Sequence, residues 1–304
     1  MENLQFLGIC GILQETFKLI HKGRRIFTQI TLAFILPHSL SVFAHIQLSI
    51  FFAPKFHKLS DVVSSKSICY ALFNFVIFIV STVFLLLSTS AVAYTVASIH
   101  TARDVAFEHV IAVVPKLWRR LLPTFKCVLT YFFAFNLGAF FTLFLRILIA
   151  VFVNGPNAFA DDDEDPADIG TLLFYYIVFY CVGLTKFWEL SSVVSVLEDV
   201  CGSEEAMARS SALLKGNMRM AAVLMGLLCA PFAVVQILFC YLVAAVGVAG
   251  KGILGIVWVL SILVFVLVKL VVDTLLYFVC KSYHHESIDK LALSCHLQGC
   301  VPAC

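Results

Sequence analysis

Charge is scarce in this chain. Asp, Glu, Lys and Arg make up only 13% of its 304 residues, where a soluble domain carries about 25%. Apolar residues make up 61%, and the mean hydropathy is +0.98. A water-soluble globule of this length has too little polar surface to cover that much apolar side chain, so the soluble class is excluded. Lys+Arg 21 against Asp+Glu 19 leaves a net charge of +2, too small to point to direct nucleic-acid binding.

Catalytic signatures are also missing. The sequence holds no GxSxG, no HExxH, no Walker A and no CxxC pair, so neither an enzyme activity nor a cofactor is expected. His284, His285 and Glu286 stand together without further residues that would complete a metal set. No N-x-S/T sequon occurs. The opening Met-Glu-Asn-Leu-Gln leads into no compact apolar core with a small-residue cleavage site. The first span is therefore expected to act as an uncleaved signal anchor.

Of the 11 cysteines, none falls in a predicted outer loop, which argues against disulfide stapling of an exposed outer face. Cys10, Cys201, Cys280, Cys295, Cys300 and Cys304 gather near the predicted cytosolic surface instead. Among them Cys295, Cys300 and Cys304 are candidates for S-palmitoylation, and small filler residues with free thiols are the plainer reading. Position 301 is Val, so there is no CaaX box.

What the chain has is long apolar runs. About 20 apolar residues cross a hydrocarbon core, and runs near 27–52, 68–97, 121–153, 171–196, 220–248 and 253–280 meet that length. Their continuity predicts helices and not barrel strands. The expected fold is all-α: a polytopic membrane bundle of six transmembrane helices in one domain over 1–280. A cytosolic tail follows over 281–304.

Orientation follows from the basic residues in the connections. Lys18, Lys22, Arg24, Arg25, Arg103, Lys116, Arg119, Arg120, Arg209, Lys215, Arg219, Lys281 and Lys290 fall on one side, and Lys55, Lys58, Lys66 and Lys251 on the other. Both termini are thereby expected in the cytosol of an endoplasmic-reticulum, other endomembrane or plasma-membrane protein. The loop 154–170, rich in Asp and free of Lys and Arg, would face away.

The basic edges recur three times, each before an apolar run. Ile9, Leu13, Phe17 and Ile20 in the first unit, and Phe107, Ile111, Val114 and Trp118 in the second, have helical spacing. In the third, Ser203 precedes Glu204 and Glu205 as a helix cap, and Ala206, Ser210, Leu213 and Leu214 make a softer face. Three cytosolic interfacial amphipathic helices are predicted, with anionic lipid or a topological anchor as their use. Twelve residues separate Arg25 from Pro37 and Arg219 from Pro231, while the second unit has Phe132 where a proline would match. A threefold internal repeat accounts for this, and so does convergence of basic edges under the positive-inside rule.

Charges within spans are costly and mark candidate sites. These are Arg146, Lys186, Glu189, Lys269 and Asp273. Lys186 and Glu189 are three apart and Lys269 and Asp273 four apart, so each couple can pair along its own helix. If spans four and six adjoin, the four form one polar cluster: a substrate, ion or proton site, or simply self-neutralised packing. Lys126 lies near a span end, where it can snorkel. Pro37 and Pro231 interrupt spans one and five and can kink them, with His38 and His45 nearby.

Phe17-Lys-Leu-Ile, then Arg24-Arg-Ile-Phe-Thr-Gln-Ile-Thr-Leu and Leu36-Pro37, resemble the opening of a plant family of uncharacterised multi-span proteins. The later Val193-Val-Ser-Val-Leu-Glu198, Gly202, Ala206, Arg209-Ser-Ser and Leu213-Leu-Lys-Gly216 carry the likeness further, over nearly the whole chain. The resemblance implies a poly(A)-binding protein as partner, which the residues themselves do nothing to explain. The Leu-Glu, Ala, Arg-Ser, Leu and Gly pattern is also distantly similar to the membrane domain of bacterial glycerophosphodiester phosphodiesterases. Their catalytic domain has no counterpart here, so no catalytic residue carries over. Within the pattern, Glu198 is expected to pair with Arg209 and tie the interfacial helix to span four.

Two functions fit. The first is a non-enzymatic organiser of lipid or protein partners at the cytosolic face. The second is a small-solute or ion carrier or channel built on the kinked spans and the buried charges.

Overall fold

The computed structural model describes residues 8–52, 65–100, 107–154, 189–198, 203–245 and 248–284. Among these the chain is helical, with no strand. Four helical stretches are long and apolar enough to cross a membrane: Arg24–Leu48, Phe75–His100, Met218–Phe239 and Gly252–Tyr283. Expected spans one, two, five and six coincide with them.

The amphipathic helix α1 (Ile9–Lys22) ends at Gly23, whose N–H reaches Leu19 O at 2.9 Å. A Cβ at Gly23 would stand 2.9 Å from the Phe27 ring and 3.1 Å from Ile99, so glycine allows the next helix to start against its neighbour. Span one then runs as α2 (Arg24–Ile30), a π-helical turn (Thr31–Ile35) and α3 (Leu36–Phe52). The π turn lies just before Pro37. Proline offers no N–H and crowds the preceding turn, and one wider turn absorbs the mismatch, with Leu36 N–H bonding to Thr31 O five residues back. Pro231, by contrast, sits inside an unbroken α-helix, α8 (Met218–Ala245). The two prolines with matched spacing are therefore accommodated differently.

Between them lie α4 (Ser65–His100), α5 (Phe107–Asn154), α6 (Glu189–Leu197) and α7 (Ser203–Leu214). The described chain closes with α9 (Val248–Tyr283). One expectation is corrected here: the second amphipathic stretch is not a separate interfacial helix. It is the start of α5, which runs unbroken for 48 residues through Pro115, Pro123 and the whole of expected span three. No glycine separates it from the apolar run, unlike Gly23 and Gly216 in the other two units. Most of span four, 171–188, lies outside the described residues, as do the acidic loop and the tail beyond His284.

Helix α9 is central, packing on α1, α3, α4, α6, α7 and α8. Side-chain contacts set the register. His38 meets Ser81, Phe43 meets Gly255 and Trp258, and His100 meets Phe278. Span one is thus antiparallel to α4 and α9. Phe232 stacks on Phe265 at 4.0 Å, and Phe239 meets Trp258 at 5.4 Å, so α8 is antiparallel to α9 as well.

Burial concentrates at the end where α1 and α7 lie. Leu86 to Ala97 of α4, Val110 to Leu121 of α5, Leu190 to Leu197 of α6 and Leu270 to Cys280 of α9 form the core there. The opposite halves of the long helices expose Phe75, Leu137, Tyr241 and Ile253, the pattern of helices that end in lipid. Ile12, Thr16 and Leu19 of α1 and Ala206, Leu213 and Leu214 of α7 are buried in that core. The expected lipid-facing stripes are in large part turned inward, because α9 offers α1 an apolar surface and α5 and α6 offer α7 another. Of the named stripe in α1, Phe17 alone is strongly exposed, at 60%.

Candidate functional site

Three elements meet at Glu198, the residue after α6. Arg209 Nε of α7 donates to its Oε2 at 3.1 Å. Its Oε1 accepts from Tyr277 O–H at 2.8 Å and from Lys281 Nζ at 2.7 Å, both on α9. Lys281 also donates to the Tyr277 oxygen at 3.1 Å. Tyr277 and Lys281 are four residues apart, so one face of α9 presents both groups. The Glu198–Arg209 tie is the one expected from sequence. The α9 pair is not, and only the helical spacing of a tyrosine and a lysine hinted at it.

Burial of the Glu198 carboxyl would by itself push its pKa up. Hydrogen bonds from Lys281 and Tyr277, the Lys281 charge and the Arg209 hydrogen bond outweigh that, and hold it below its ordinary value. The group is ionised at neutral pH with both oxygens engaged, and it fastens the three elements together.

The knot continues into the turn between α7 and α8. Gly216 has φ +98°, and a Cβ there would lie 3.1 Å from the Tyr283 ring. His284 Nε2 sits 3.1 Å from Leu213 O. The end of α9 thereby clamps the end of α7 and the turn that follows it. Ser210 is buried and donates to Met207 O at 3.0 Å.

Inside α9, Lys269 Nζ donates to Asp273 Oδ2 at 3.1 Å, with the Asp273 side chain 3% exposed. Asp273 Oδ1 is buried without a hydrogen-bond partner among the described residues. Helix α6 packs on α9, so the described end of span four adjoins span six. Lys186 lies outside the described residues, and the side chains of Glu189 and Arg146 are outside the description too. His38 of α3 stands with Nδ1 3.0 Å from both the hydroxyl and the carbonyl oxygen of Ser81; His45 is exposed.

Lys18, Lys22, Arg24 and Arg25 are exposed around the α1–α2 junction, and Lys215 and Arg219 around the α7–α8 turn. Lys18 pairs with Glu15 at 3.3 Å. Lys116, Arg119 and Arg120 lie in α5 with side chains outside the description, and Lys126 is exposed. Cys295, Cys300 and Cys304 lie outside the described residues. Among the described residues no group of His, Cys, Asp and Glu is arranged to hold a metal.

No curated protein and no solved structure matches this chain. A family described as a domain of unknown function, DUF8558, matches residues 1–302. A bundle of long apolar helices fastened at one end by Glu198 is thus the architecture of a member of that family, and the chain belongs to DUF8558.

Proposed function

We propose that this chain is a non-enzymatic, six-span integral membrane protein that gathers anionic lipid headgroups at the cytosolic face of its membrane. Both termini face the cytosol in this reading. The observation that carries it is the exposure of Lys18, Lys22, Arg24 and Arg25 at one junction while Ile12 and Leu19 are buried beneath them. Basic side chains held at the membrane edge by a buried apolar anchor attract anionic lipid by about 1 kcal/mol each. Lys215 and Arg219 add to the same end. Acylation of Cys295, Cys300 and Cys304 would bring the tail to that surface.

The test compares purified protein in nanodiscs of phosphatidylserine and of phosphatidylcholine. Anionic lipid is expected to raise the melting temperature, the more so at low salt, and Arg24→Ala/Arg25→Ala to reduce the rise. A melting temperature indifferent to headgroup and salt would sink the reading. The plant-family resemblance adds a poly(A)-binding protein as a proposed partner, to be checked by co-purification from native cytosolic extract.

A second reading is an ion or small-solute carrier. The buried Lys269–Asp273 pair favours it, because ionised groups at that depth are costly. Flux into proteoliposomes that disappears when the pair is neutralised would support it.

A further inference from the structure

The exposed residues of span one change character at one level. Along the helix they read Arg24, Arg25, Thr28 and Gln29, then Leu32 at 58% exposed, and then Leu40. In a membrane span, large apolar side chains left open by the protein face hydrocarbon, so the hydrocarbon edge falls between Gln29 and Leu32. From Arg25 to Leu32 is about 10 Å at 1.5 Å per residue. The headgroup layer on one face of a bilayer is only about 5–8 Å deep. Side chains of a helix also lean toward its N-terminus, which for this span is the cytosolic end. Both arginines therefore reach away from the bilayer, above the plane of the lipid phosphodiesters. The other basic turn sits lower. Met218 and Val223 are exposed on either side of Arg219, which puts that arginine at the edge of the apolar zone, at diester depth.

The upper corner holds dense, unanswered charge. Lys22 ends α1, and Arg24 and Arg25 begin α2 just past Gly23, so chain connectivity alone keeps the three together. All are exposed, and among the described residues no carboxylate pairs with them; Lys18, one turn back, is met by Glu15 at 3.3 Å. A phosphatidylserine headgroup brings a single net negative charge and keeps its phosphate in the diester plane. A phosphomonoester carries about −1.5 to −2 at neutral pH and presents three strong acceptor oxygens. Arginine grips such a group through two parallel N–H donors. A monoester on a ring carried above the diester meets this corner at its own height.

We propose that Lys22, Arg24 and Arg25 select lipids whose headgroup projects a phosphomonoester beyond the diester plane, the polyphosphoinositide class. Lys215 and Arg219, at diester depth, attract any anionic lipid. The inference rests on the lipid reading and narrows it to one corner and one headgroup chemistry.

The test uses full-length protein in phosphatidylcholine nanodiscs doped with either phosphatidylserine or phosphatidylinositol bisphosphate, at equal total lipid charge. The melting temperature is expected to rise by about 2–5 °C more with the bisphosphate. Arg24→Lys/Arg25→Lys keeps the charge and removes the two-pronged contact, so it should lose most of that excess and keep the phosphatidylserine response. Lys215→Gln/Arg219→Gln should do the reverse. All four positions are exposed, so the variants should fold. Equal responses to the two lipids, or an excess that the lysine variant retains in full, would overturn the proposal and leave the lipid reading standing. Indifference to both lipids would remove the two together. Soluble inositol trisphosphate, added to undoped nanodiscs, tests the source of the phosphate. A much smaller rise is expected, because a lipid reaches the corner at high local concentration; a rise as large as the lipid's would make the ligand a free polyphosphate and overturn the assignment to lipid.

Discussion

Glu198 and Lys281 stand 83 positions apart in the chain and 2.7 Å apart in space. Their bond joins the end of α6 to the last turns of α9, and Arg209 extends it to α7. Removing the carboxylate charge in Glu198→Gln leaves Lys281 half-buried beside a neutral amide. A loss of about 2–3 kcal/mol is expected, measured by thermal unfolding in nanodiscs. Retention of wild-type stability would show that the knot is incidental.

The same residue sets an acid limit. Its folded pKa lies below the ordinary glutamate value of 4.5. Its stabilisation is therefore complete above that value and is lost as pH falls through the lower folded value. Wild-type protein should lose stability below pH 4.5 with a component that Glu198→Gln does not show. Parallel pH profiles for the two proteins would contradict this.

The two cations of the knot are not equivalent. The Lys281 side chain is 17% exposed and that of Arg209 is 35%. Arg209→Ala should cost no more than about 1 kcal/mol, since water and salt screen the more exposed pair. Lys281→Met, which also strips a hydrogen bond from Tyr277, should cost more. An inverted order in hydrogen-exchange protection of the α9 end would count against the assignment.

Within α9, Lys269→Met alone strands a buried carboxylate. It should destabilise by about 3–5 kcal/mol, whereas the double neutral variant should recover most of that loss. Equal stability of the single and double variants would mean that the pair carries no coupling.

Gly216→Ala meets two penalties, a positive φ and a Tyr283 ring 3.1 Å from the new methyl. A loss of about 1–2 kcal/mol is expected. If the cost comes chiefly from the ring, Tyr283→Ala in the same background should restore part of it; if from φ, it should not.

Much of this molecule was legible in its residues because the relevant physics is local. Long apolar runs between basic edges become helices of membrane-crossing length, whatever packs beside them. Lys269 and Asp273 pair because four residues make about one helical turn. Glu198 and Arg209, 11 positions apart, were still close enough in sequence for the pairing to be anticipated. Tertiary structure decided the rest. The direction in which α1 and α7 turn their apolar stripes depended on what α9 offered the one and α5 and α6 the other, and periodicity cannot distinguish a protein neighbour from lipid. Pro37 is accommodated in a π turn and Pro231 in unbroken α-helix, although the spacing from arginine to proline is the same. The partners Tyr277 and Lys281 arrive from the far end of the chain, and only the folding of α9 into the centre of the bundle brings them to Glu198.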